Sequence, residues 1–332
     1  MRRLFYLIYY LKELDFNQLK AFLHYSSSIS GKSKVRILLD AGYSVFKFNT
    51  SLKDYFCFRF FDLNMAERNE WAGTGFMYEY QLKMNPKDAR KVLADKIRFL
   101  NHFKHFIKRQ YSDLETLRSD KILLQKFLSN KSGKLVLKNS HGQAGAEVKI
   151  IRSNDYSPVS LLYYMQKNDL DLVEDYVDQH PALMELSPSG LNTVRIITQF
   201  NNNSIDFLGG RLRISINSPV DNMAAGNLAA AINMRTGVVT GSGVYSDITK
   251  VEQATHPITG KPITGFIIPF WDKVIDLAKR AALHTPENRS VGWDIAITAD
   301  GPELIEGNHN WCKLLWQLPV KQGLKKELEK YL

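Results

Sequence analysis

The residues best suited to chemistry lie near the C-terminal end, in the segment 291–310, which reads VGWDIAITADGPELIEGNHN. Two apolar runs flank a cluster of turn-forming residues, a pattern that predicts a β-hairpin. If its loop is symmetric about Asp300, Asp294 lies opposite Glu306, and Asn308 follows on the same strand. Like charges directly opposite one another are unfavourable. A hard cation such as Mg²⁺, which binds carboxylate and amide oxygens, removes that conflict.

The same hairpin has a simpler interpretation. Two carboxylates on a solvated sheet face can turn away from each other and bind nothing, because exposed acids are well hydrated. The pairing alone does not decide between a metal site and an ordinary solvated face. Other parts of the chain are needed to distinguish a metal site from a solvated face.

A second group of residues could hold phosphate. The segment Lys134–Lys138 predicts a strand, and Lys138 is followed by a loop that contains Gly142 and Gly145, then by a second strand at 147–151. Backbone N–H groups in a glycine loop can approach phosphate oxygens closely, while a lysine supplies charge. Any hairpin loop can carry two glycines, so an ordinary hairpin remains the alternative.

Polar side chains lie on two further predicted strands, and two neighbouring arginines among them could hold an anion. The segment 191–198 carries Asn192 and Arg195, and Arg211 and Arg213 share one face of the segment GGRLRIS. Two neighbouring guanidinium groups repel unless an anion lies between them. A solvated arginine face is the equally simple alternative.

Several helices must position these side chains. Asn85 and Pro86 are a favourable N-cap and first helical residue, so we expect one helix over 85–107 with Lys96 at the edge of its apolar stripe. Further helices are predicted at 119–128 and 272–283. The aromatic run at 55–61 is predicted to lie in a core rather than to stack on bases.

The amino-acid composition limits the classes of partner that the protein could bind. The chain has 332 residues with 44% hydrophobic content, enough for two or three domains, and its net charge of +10 suits a polyanionic partner. The basic residues are scattered and match no recognition motif, so no nucleic acid is expected.

Two cysteines, Cys57 and Cys312, match no metal-binding spacing and indicate a reducing compartment, hence the cytoplasm. The apolar run near Met1 is too short to span a bilayer and is expected to pack on the body, with an interfacial membrane contact as the alternative.

Several segments resemble one superfamily in the order in which they occur. They are LVLKNSHGQAG, LVEDYVDQH, LNTVRIIT, HPITG and GWDIAITADGPELIEGN, and with the lysine at 96 they span about 95–310. The chain resembles ATP-grasp enzymes, and most closely the sugar-transfer-associated ATP-grasp proteins of bacterial polysaccharide gene clusters. The resemblance implies an α+β ATP-grasp fold with two lobes that clasp a nucleotide. The implied boundaries are an accessory region at 1–85, a smaller lobe at 86–180 and a larger lobe at 181–332.

The resemblance also implies a nucleotide site. Two lysines of the smaller lobe hold the phosphates in this superfamily, and these correspond to Lys96 and Lys138. A loop that closes over the phosphates corresponds to the segment with Gly142 and Gly145. The remaining nucleotide-binding residues implied are Glu174, Asp175, Tyr176 and Val177 at the hinge, together with His180 and Asn222.

The ribose ligand stays open, because Asp178, Gln179 and His180 all compete for that place. Arg195 corresponds to the arginine that steadies the transferred phosphate and the acyl phosphate. Its weaker neighbours are Asn192, Arg213 and Asn222, and the implied ligands of Mg²⁺, or of Mn²⁺ in its place, are Asp294, Glu306 and Asn308.

The activity implied is an ATP- and Mg²⁺-dependent carboxylate–amine ligase that works through an acyl phosphate. The expected substrates are an acidic sugar or an amino acid attached to a glycan, together with an amine, in bacterial cell-surface polysaccharide biosynthesis. The alternative is a nucleotide-binding scaffold without turnover in a polysaccharide assembly complex. A location in the cytoplasm is expected, with the inner face of the membrane as a narrower alternative.

Overall fold

The computed structural model describes residues 15–142 and 148–332. Two antiparallel sheets with helices packed around them form the fold, which confirms the α+β class. The strands are β1 (Tyr111–Asp113), β2 (Lys134–Lys138), β3 (Lys149–Arg152), β4 (Leu172–Asp175), β5 (Thr193–Asn201), β6 (Ser204–Ile214), β7 (Leu228–Ile232), β8 (Ser290–Thr298) and β9 (Gly301–Asn308). The smaller sheet has the order β1-β4-β2-β3, and the larger sheet has the order β7-β6-β5-β8-β9.

Helices precede, connect and follow the two sheets. Those of the first half are α1 (Phe16–Ser30), α2 (Lys34–Phe48), α3 (Leu52–Cys57), α4 (Met65–Asn69), α5 (Thr74–Met84), α6 (Lys91–Ala94), α7 (Lys96–His102), α8 (Leu114–Ser119), α9 (Lys121–Leu128) and α10 (Pro158–Lys167). Those of the second half are α11 (Pro181–Leu186), α12 (Trp271–Leu283), α13 (Lys313–Gln317) and α14 (Lys325–Glu329). Short 3-10 turns occupy Lys104–Phe106, Ser153–Asp155, Met223–Ala225 and Leu318–Val320. None of the helices in the described ranges is both long and apolar enough to cross a bilayer.

The single helix predicted over 85–107 is wrong. Asp95 has an extended backbone, and its carboxylate accepts a hydrogen bond from the Arg98 amide at 2.9 Å, so a new helix, α7, begins there. Asn85 does not act as an N-cap, because its side-chain amide donates to two backbone carbonyls beside the larger sheet, at 2.8 and 2.7 Å. The break places the Lys96 amide 3.1 Å from a carbonyl in the loop after β2.

The two sheets pack against different apolar clusters, although Leu172 of β4 belongs to the cluster on the larger sheet. Leu117, Phe127 and Leu135 are fully buried beside the smaller sheet, and Trp293 belongs to the cluster on the larger sheet. Burying a side chain of this size stabilises a fold by about 1.5–3 kcal/mol. Apolar residues of α6 and α7 belong to the cluster of the larger sheet. The residues between 86 and the start of β1 are assigned above to the smaller lobe. They nevertheless pack largely on the larger sheet.

The aromatic run at 55–61 lies in a core, as the composition predicts. Tyr55, Phe56, Phe60 and their neighbours are buried in a cluster formed by α1, α2 and α3. Leu314 of α13 joins the same cluster, so the N-terminal helices are anchored to the end of the chain.

Candidate functional site

The hairpin formed by β8 and β9 brings the predicted acidic residues together. Asp294 pairs with Glu306 in the observed register, which confirms that part of the prediction. The turn is not symmetric about the predicted centre, because Thr298 pairs with Gly301. A register shift further along leaves Ile305 without a partner and restores the Asp294–Glu306 pairing. The right pair therefore depends on a β-bulge that the turn pattern does not reveal.

Asp294 is a buried carboxylate bound by two arginines. Arg195, on the adjacent strand β5, donates through Nε and through Nη2, the latter at 2.7 Å, and Arg213 Nη1 donates at 2.6 Å. Burial disfavours the charged carboxylate, but the two guanidinium groups outweigh it and hold the pKa of Asp294 well below its usual range. Asp294 is therefore ionised throughout the physiological pH range.

Asp221 is a site residue that the sequence reasoning missed. Its carboxylate lies 2.8 Å from Arg213 Nη2 and accepts hydrogen bonds from the backbone N–H and hydroxyl of Thr193, at 2.8 and 2.6 Å. Arg211 does not share this anion; it is buried against the carbonyl of Trp316, with Nε at 3.0 Å. Burial lowers the pKa of Arg211 to about 10. Arg211 and Arg213, which were predicted to share one anion, therefore have different partners.

Glu306 is the most accessible acid of this group, with 44% of its side chain exposed. Asn308 Nδ2 donates to Glu306 Oε1 at 3.1 Å, and Arg195 Nη2 lies 4.0 Å from the same oxygen. Desolvation, and then the like charge of Asp294, raise the pKa of Glu306. The unfavourable pairing expected from the sequence is present and only partly relieved by the arginines.

The donor set suits a hard divalent cation. Glu306 and Asn308 supply carboxylate and amide oxygens, the ligands that Mg²⁺ prefers. Both oxygens of Asp294 are bound by arginines. In this arrangement Asp294 would therefore have to bind a metal cation while it keeps these ion pairs. Within the described parts of the chain, no group of three or more His, Cys, Asp or Glu residues has a metal-binding arrangement. The predicted set contains two carboxylates and one amide, so its fit rests on the oxygen chemistry of these side chains alone.

In the smaller sheet, Lys138 is held by a buried acid. Its Nζ lies 2.6 Å from Glu174 Oε1 on the neighbouring strand β4. Arg109 Nε donates to the other oxygen of the same carboxylate. Burial disfavours the ionised carboxylate, but Arg109 and Lys138 outweigh it and lower the pKa of Glu174 to about 2. Glu174 thus acts as an ionic anchor for Lys138, in addition to the hinge position implied by the resemblance.

Lys96 reaches the loop that follows β2. Its Nζ donates to the Asn139 carbonyl at 3.0 Å and also to the Gly142 carbonyl. The ammonium group is therefore held against the loop predicted to cover phosphate. Gly145 lies outside the described residues, as does the start of the predicted second strand.

Arg109 joins the two sheets and was not predicted. Its Nη1 donates to Glu303 Oε1 at 2.8 Å and to the Leu304 carbonyl at 2.9 Å, and its Nη2 donates to the Ile305 carbonyl at 3.4 Å. With its bond to Glu174 on β4, the guanidinium connects the smaller sheet to the bulge of β9. Burial opposes its charge, but the two glutamates outweigh burial and raise the pKa of Arg109. No sequence motif identifies Arg109 as a site residue, because its partners are distant in sequence.

The hinge residues after Glu174 form a half-buried segment that begins at Asp175, the last residue of β4. Burial raises the pKa of Asp175, and Tyr176 has the Lys134 ammonium 4.7 Å from its ring centre. Val177 is also half-buried. All three positions line the connection between the sheets, where the resemblance places adenine.

The three candidates for the ribose contact have different environments. Asp178 is exposed, whereas Gln179 is buried and donates to the Gly190 carbonyl at 2.6 Å. His180 is the N-cap of α11, and its Nδ1 accepts a hydrogen bond from the Ala182 amide at 3.2 Å. Asp178 therefore has the exposure that a ribose ligand needs, and the role of His180 in nucleotide binding remains a prediction.

Asn192 and Asn222 support the local backbone. The side chain of Asn192 is fully buried, donates to the Ser187 carbonyl at 2.8 Å and accepts from the Ser215 amide at 2.8 Å. Asn192 therefore holds the local backbone, and its role beside the transferred phosphate remains a prediction. Asn222 accepts a hydrogen bond from the Ala224 amide at 2.9 Å and caps a 3-10 turn beside Asp221.

The depressed pKa of Glu174 predicts a specific pH dependence. Because the pKa of Glu174 in the folded protein, about 2, lies below the usual glutamate value of 4.5, the carboxylate contributes stability above pH 4.5 that is lost as the pH falls towards 2. We expect Glu174→Gln to unfold more easily at pH 6 and to lose less further stability between pH 4.5 and 2. Thermal melts across this range compare the two proteins, with the exposed Glu185→Gln as the matched control. An unchanged acid dependence in Glu174→Gln would contradict the assigned ion pairs.

Comparison with known protein families gives a match over most of this chain. A sequence model of the sugar-transfer associated ATP-grasp family matches residues 76–331. A comparison with curated proteins found no match.

Solved structures with a similar fold include three from different bacteria. D-alanyl-alanine synthetase A from Vibrio cholerae has 11% identity, a TM-score of 0.40 and coverage of 70% of this chain and 66% of its own. The biotin carboxylase domain of a Hydrogenobacter thermophilus 2-oxoglutarate carboxylase, in complex with MgADP, has 13% identity, a TM-score of 0.42 and coverage of 70% and 46%. An L-amino acid ligase from Bacillus licheniformis has 10% identity, a TM-score of 0.40 and coverage of 71% and 48%. The chain thus spans between about half and two thirds of the length of these proteins.

Proposed function

Because the chain belongs to the sugar-transfer associated ATP-grasp family, we propose that it is an ATP- and Mg²⁺-dependent carboxylate–amine ligase. The main support is the contact made by Arg109 between Glu174 and the Ile305 carbonyl. This contact places the Lys138 anchor of one sheet next to the strand that carries Glu306. We propose that the cationic groups for phosphate and the oxygen ligands for a cation share one site between the two sheets.

The proposed reaction has two steps. A carboxylate oxygen of the substrate attacks the γ-phosphorus of ATP, the bond to the β-phosphate oxygen breaks, and ADP leaves. An amine then attacks the acyl carbon of the acyl phosphate, phosphate leaves with the bonding pair, and the amine loses a proton. Neither step needs a nucleophilic side chain, so the protein contributes position and electrostatic stabilisation.

The residues have distinct proposed roles. Lys96 and Lys138 bind the phosphates, and Arg195 stabilises charge on the transferred phosphoryl group. Glu306 and Asn308, with Asp294 behind them, would hold Mg²⁺, or Mn²⁺ in its place, and the ion would neutralise phosphate charge when bound. The hinge backbone is proposed to contact adenine.

The substrate class is the most specific part of the proposal. We propose that the carboxylate belongs to an acidic sugar or to an amino acid that is attached to a glycan in the cytoplasm. The family description links these proteins to sugar transfer, which supports a role in cell-surface polysaccharide biosynthesis.

The proposal is tested by product formation. The protein is incubated with Mg·ATP and with panels of uronic acids, amino acids and amines, and ADP and phosphate are measured. Hydroxylamine replaces the amine in parallel, because it converts an acyl phosphate to a hydroxamate that mass spectrometry identifies. We expect ADP, phosphate and hydroxamate only when the correct acid is present. ADP formation without any hydroxamate or amide would contradict the acyl phosphate.

One observation favours the second candidate, a nucleotide-binding scaffold without turnover. Both oxygens of Asp294 are engaged by Arg195 and Arg213, which leaves this predicted metal ligand already neutralised. A scaffold would be stabilised thermally by Mg·ATP and would release no ADP with any acid and amine. A ligase would show both stabilisation and turnover.

A further inference from the structure

Two arginines bind the carboxylate of Asp294, but they are anchored differently. Arg213 lies between two acids, with Nη1 2.6 Å from Asp294 Oδ2 and Nη2 2.8 Å from Asp221 Oδ1. Arg195 donates to Asp294 through Nε and, at 2.7 Å, through Nη2, whereas Glu306 is 4.0 Å away. If Asp294 took another partner, Arg213 would keep a short ion pair and Arg195 would not.

Asp221 is a fixed acceptor. Its side chain is buried, and its Oδ2 accepts hydrogen bonds from the backbone N–H of Thr193 at 2.8 Å and from the hydroxyl at 2.6 Å. Thr193 is the first residue of β5, the strand that carries Arg195. One oxygen of Asp221 is therefore bound by β5 and the other by Arg213. Separating this carboxylate from Arg213 would leave a buried charge without its partner, which is strongly unfavourable.

Arg195 has a terminal nitrogen that is still available. Its Nη1 has no hydrogen-bond acceptor within residues 15–142 and 148–332, whereas both terminal nitrogens of Arg213 are bound to acids. The Arg195 side chain lies next to Gly292 of β8, where a Cβ atom would be 3.1 Å from its Cδ and 3.3 Å from its Nη1. Glycine at this position leaves room for the guanidinium. Arg195 can therefore donate to a further anion.

The charges of this group do not balance. When Asp221, Asp294 and Glu306 are all ionised, three negative charges face the two positive charges of the arginines. A divalent cation at the proposed metal site changes the net charge from −1 to +1. Because like charges repel strongly in a buried site, the added positive charge weakens the bond of Arg195 to Asp294 and favours an anion beside Arg195. The phosphate to be transferred is such an anion.

We propose that Asp221 holds Arg213 in place, whereas Arg195 exchanges its bond to Asp294 for one to a substrate phosphate when a divalent cation binds that carboxylate. Asp221 is then a positioning residue, because it acts through Arg213 and not on the substrate. Arg213 serves as a fixed cation of the site. This inference rests on the proposed function and its metal site, and it separates the roles of two arginines that contact the same acid.

Nuclear magnetic resonance of the full chain, labelled with ¹⁵N-arginine, tests the exchange in the parent protein. Mg·ADP supplies the cation without the phosphate to be transferred. We expect the Arg195 Nε–H to exchange with water at least about tenfold faster in Mg·ADP than in ADP with EDTA, because it loses a charge-assisted hydrogen bond. The side-chain signals of Arg213 should stay unchanged. An equal response of both arginines, or no response of Arg195, would overturn the proposal.

The variant Asp221→Asn tests the positioning role. Without the charge of Asp221, Arg213 depends on Asp294 alone, so the signals of both arginines should change when Mg·ADP binds. A residue that only stabilised the fold would lower the melting temperature without making Arg213 respond to the cation. Thr193→Val keeps the Asp221 charge and removes one of its donors, so this matched control should behave like the parent. An unresponsive Arg213 in Asp221→Asn would rule out the positioning role.

Calorimetry separates this inference from the proposed function. With Mg²⁺ present, the parent should bind a non-hydrolysable ATP analogue at least about tenfold more tightly than ADP, the usual effect of one charge-assisted hydrogen bond. Arg195→Gln should lose this preference, and Arg213→Gln, with the same change of charge, should keep it; thermal melts verify that both fold. Equal loss in both variants, in a protein that still ligates acid and amine, would overturn the inference alone. A parent protein that binds neither nucleotide would overturn the proposed function as well.

Discussion

Glu306→Gln is expected to abolish ATP-dependent ligation while the protein remains folded. Glutamine keeps the shape of the side chain but removes a charged oxygen ligand from the proposed cation site. The loss of one group that stabilises phosphoryl-transfer charge costs about 10²–10³-fold in rate. ADP release with the correct acid and amine, measured across a Mg²⁺ titration, gives the effect. Thermal melts report the fold, which should be retained because 44% of the Glu306 side chain is exposed.

The position of Glu306 makes it a better probe than Asp294. Replacing Asp294 would leave Arg195 and Arg213 without their shared buried acid and would confuse misfolding with loss of catalysis. The exposed Glu185→Gln is the matched control and should keep full activity. Turnover in Glu306→Gln equal to that of the parent, with the same Mg²⁺ dependence, would rule out the assigned metal site.

Arg109→Met is expected to lower the stability of the fold by about 3–5 kcal/mol, the usual cost of removing one partner from a buried ion pair. Glu303 would lose its ion-pair partner, and Glu174 would keep only Lys138. Two carbonyls at the β9 bulge would also lose their donors. Denaturant titration compares the free energy of unfolding with that of the parent protein.

The surface variant Arg118→Met serves as the control, because Arg118 is exposed and donates a hydrogen bond to the Gln166 side chain at 2.8 Å. Its effect should stay within about 0.5 kcal/mol. Adding Glu303→Gln to Arg109→Met should restore part of the lost stability, since the uncompensated charge is then removed. If Arg109→Met unfolds at the same denaturant concentration as the parent, the buried network does not hold the two sheets together.

Features that depend on neighbouring residues were predictable. The strand at Lys134–Lys138 was predicted with its observed bounds, and the Asp294–Glu306 pairing was predicted from the turn between two apolar runs. The ATP-grasp family was recognised from motifs in their order along the chain. In each case the information lies within a short segment, where alternation and turn formers govern the local backbone.

Features that depend on distant residues were not predictable in the same way. The predicted helix breaks at Asp95, and the β9 register depends on the unpaired residue Ile305. Local propensity could not reveal either, because tertiary contacts of the surrounding backbone override it.

The partners of the charged residues show this limit most clearly. Arg195 and Asp294, both predicted as site residues, form a buried ion pair, but their neighbour Asp221 and the bridging Arg109 were missed. Arg109 contacts residues 65 and 194 positions away in the sequence. A buried charge must find an opposite charge in the folded protein, and packing of the two sheets determines which one lies within reach. Residue types and local spacing therefore indicated the chemistry of the hairpin, whereas long-range packing set the ionisation and contacts of its side chains.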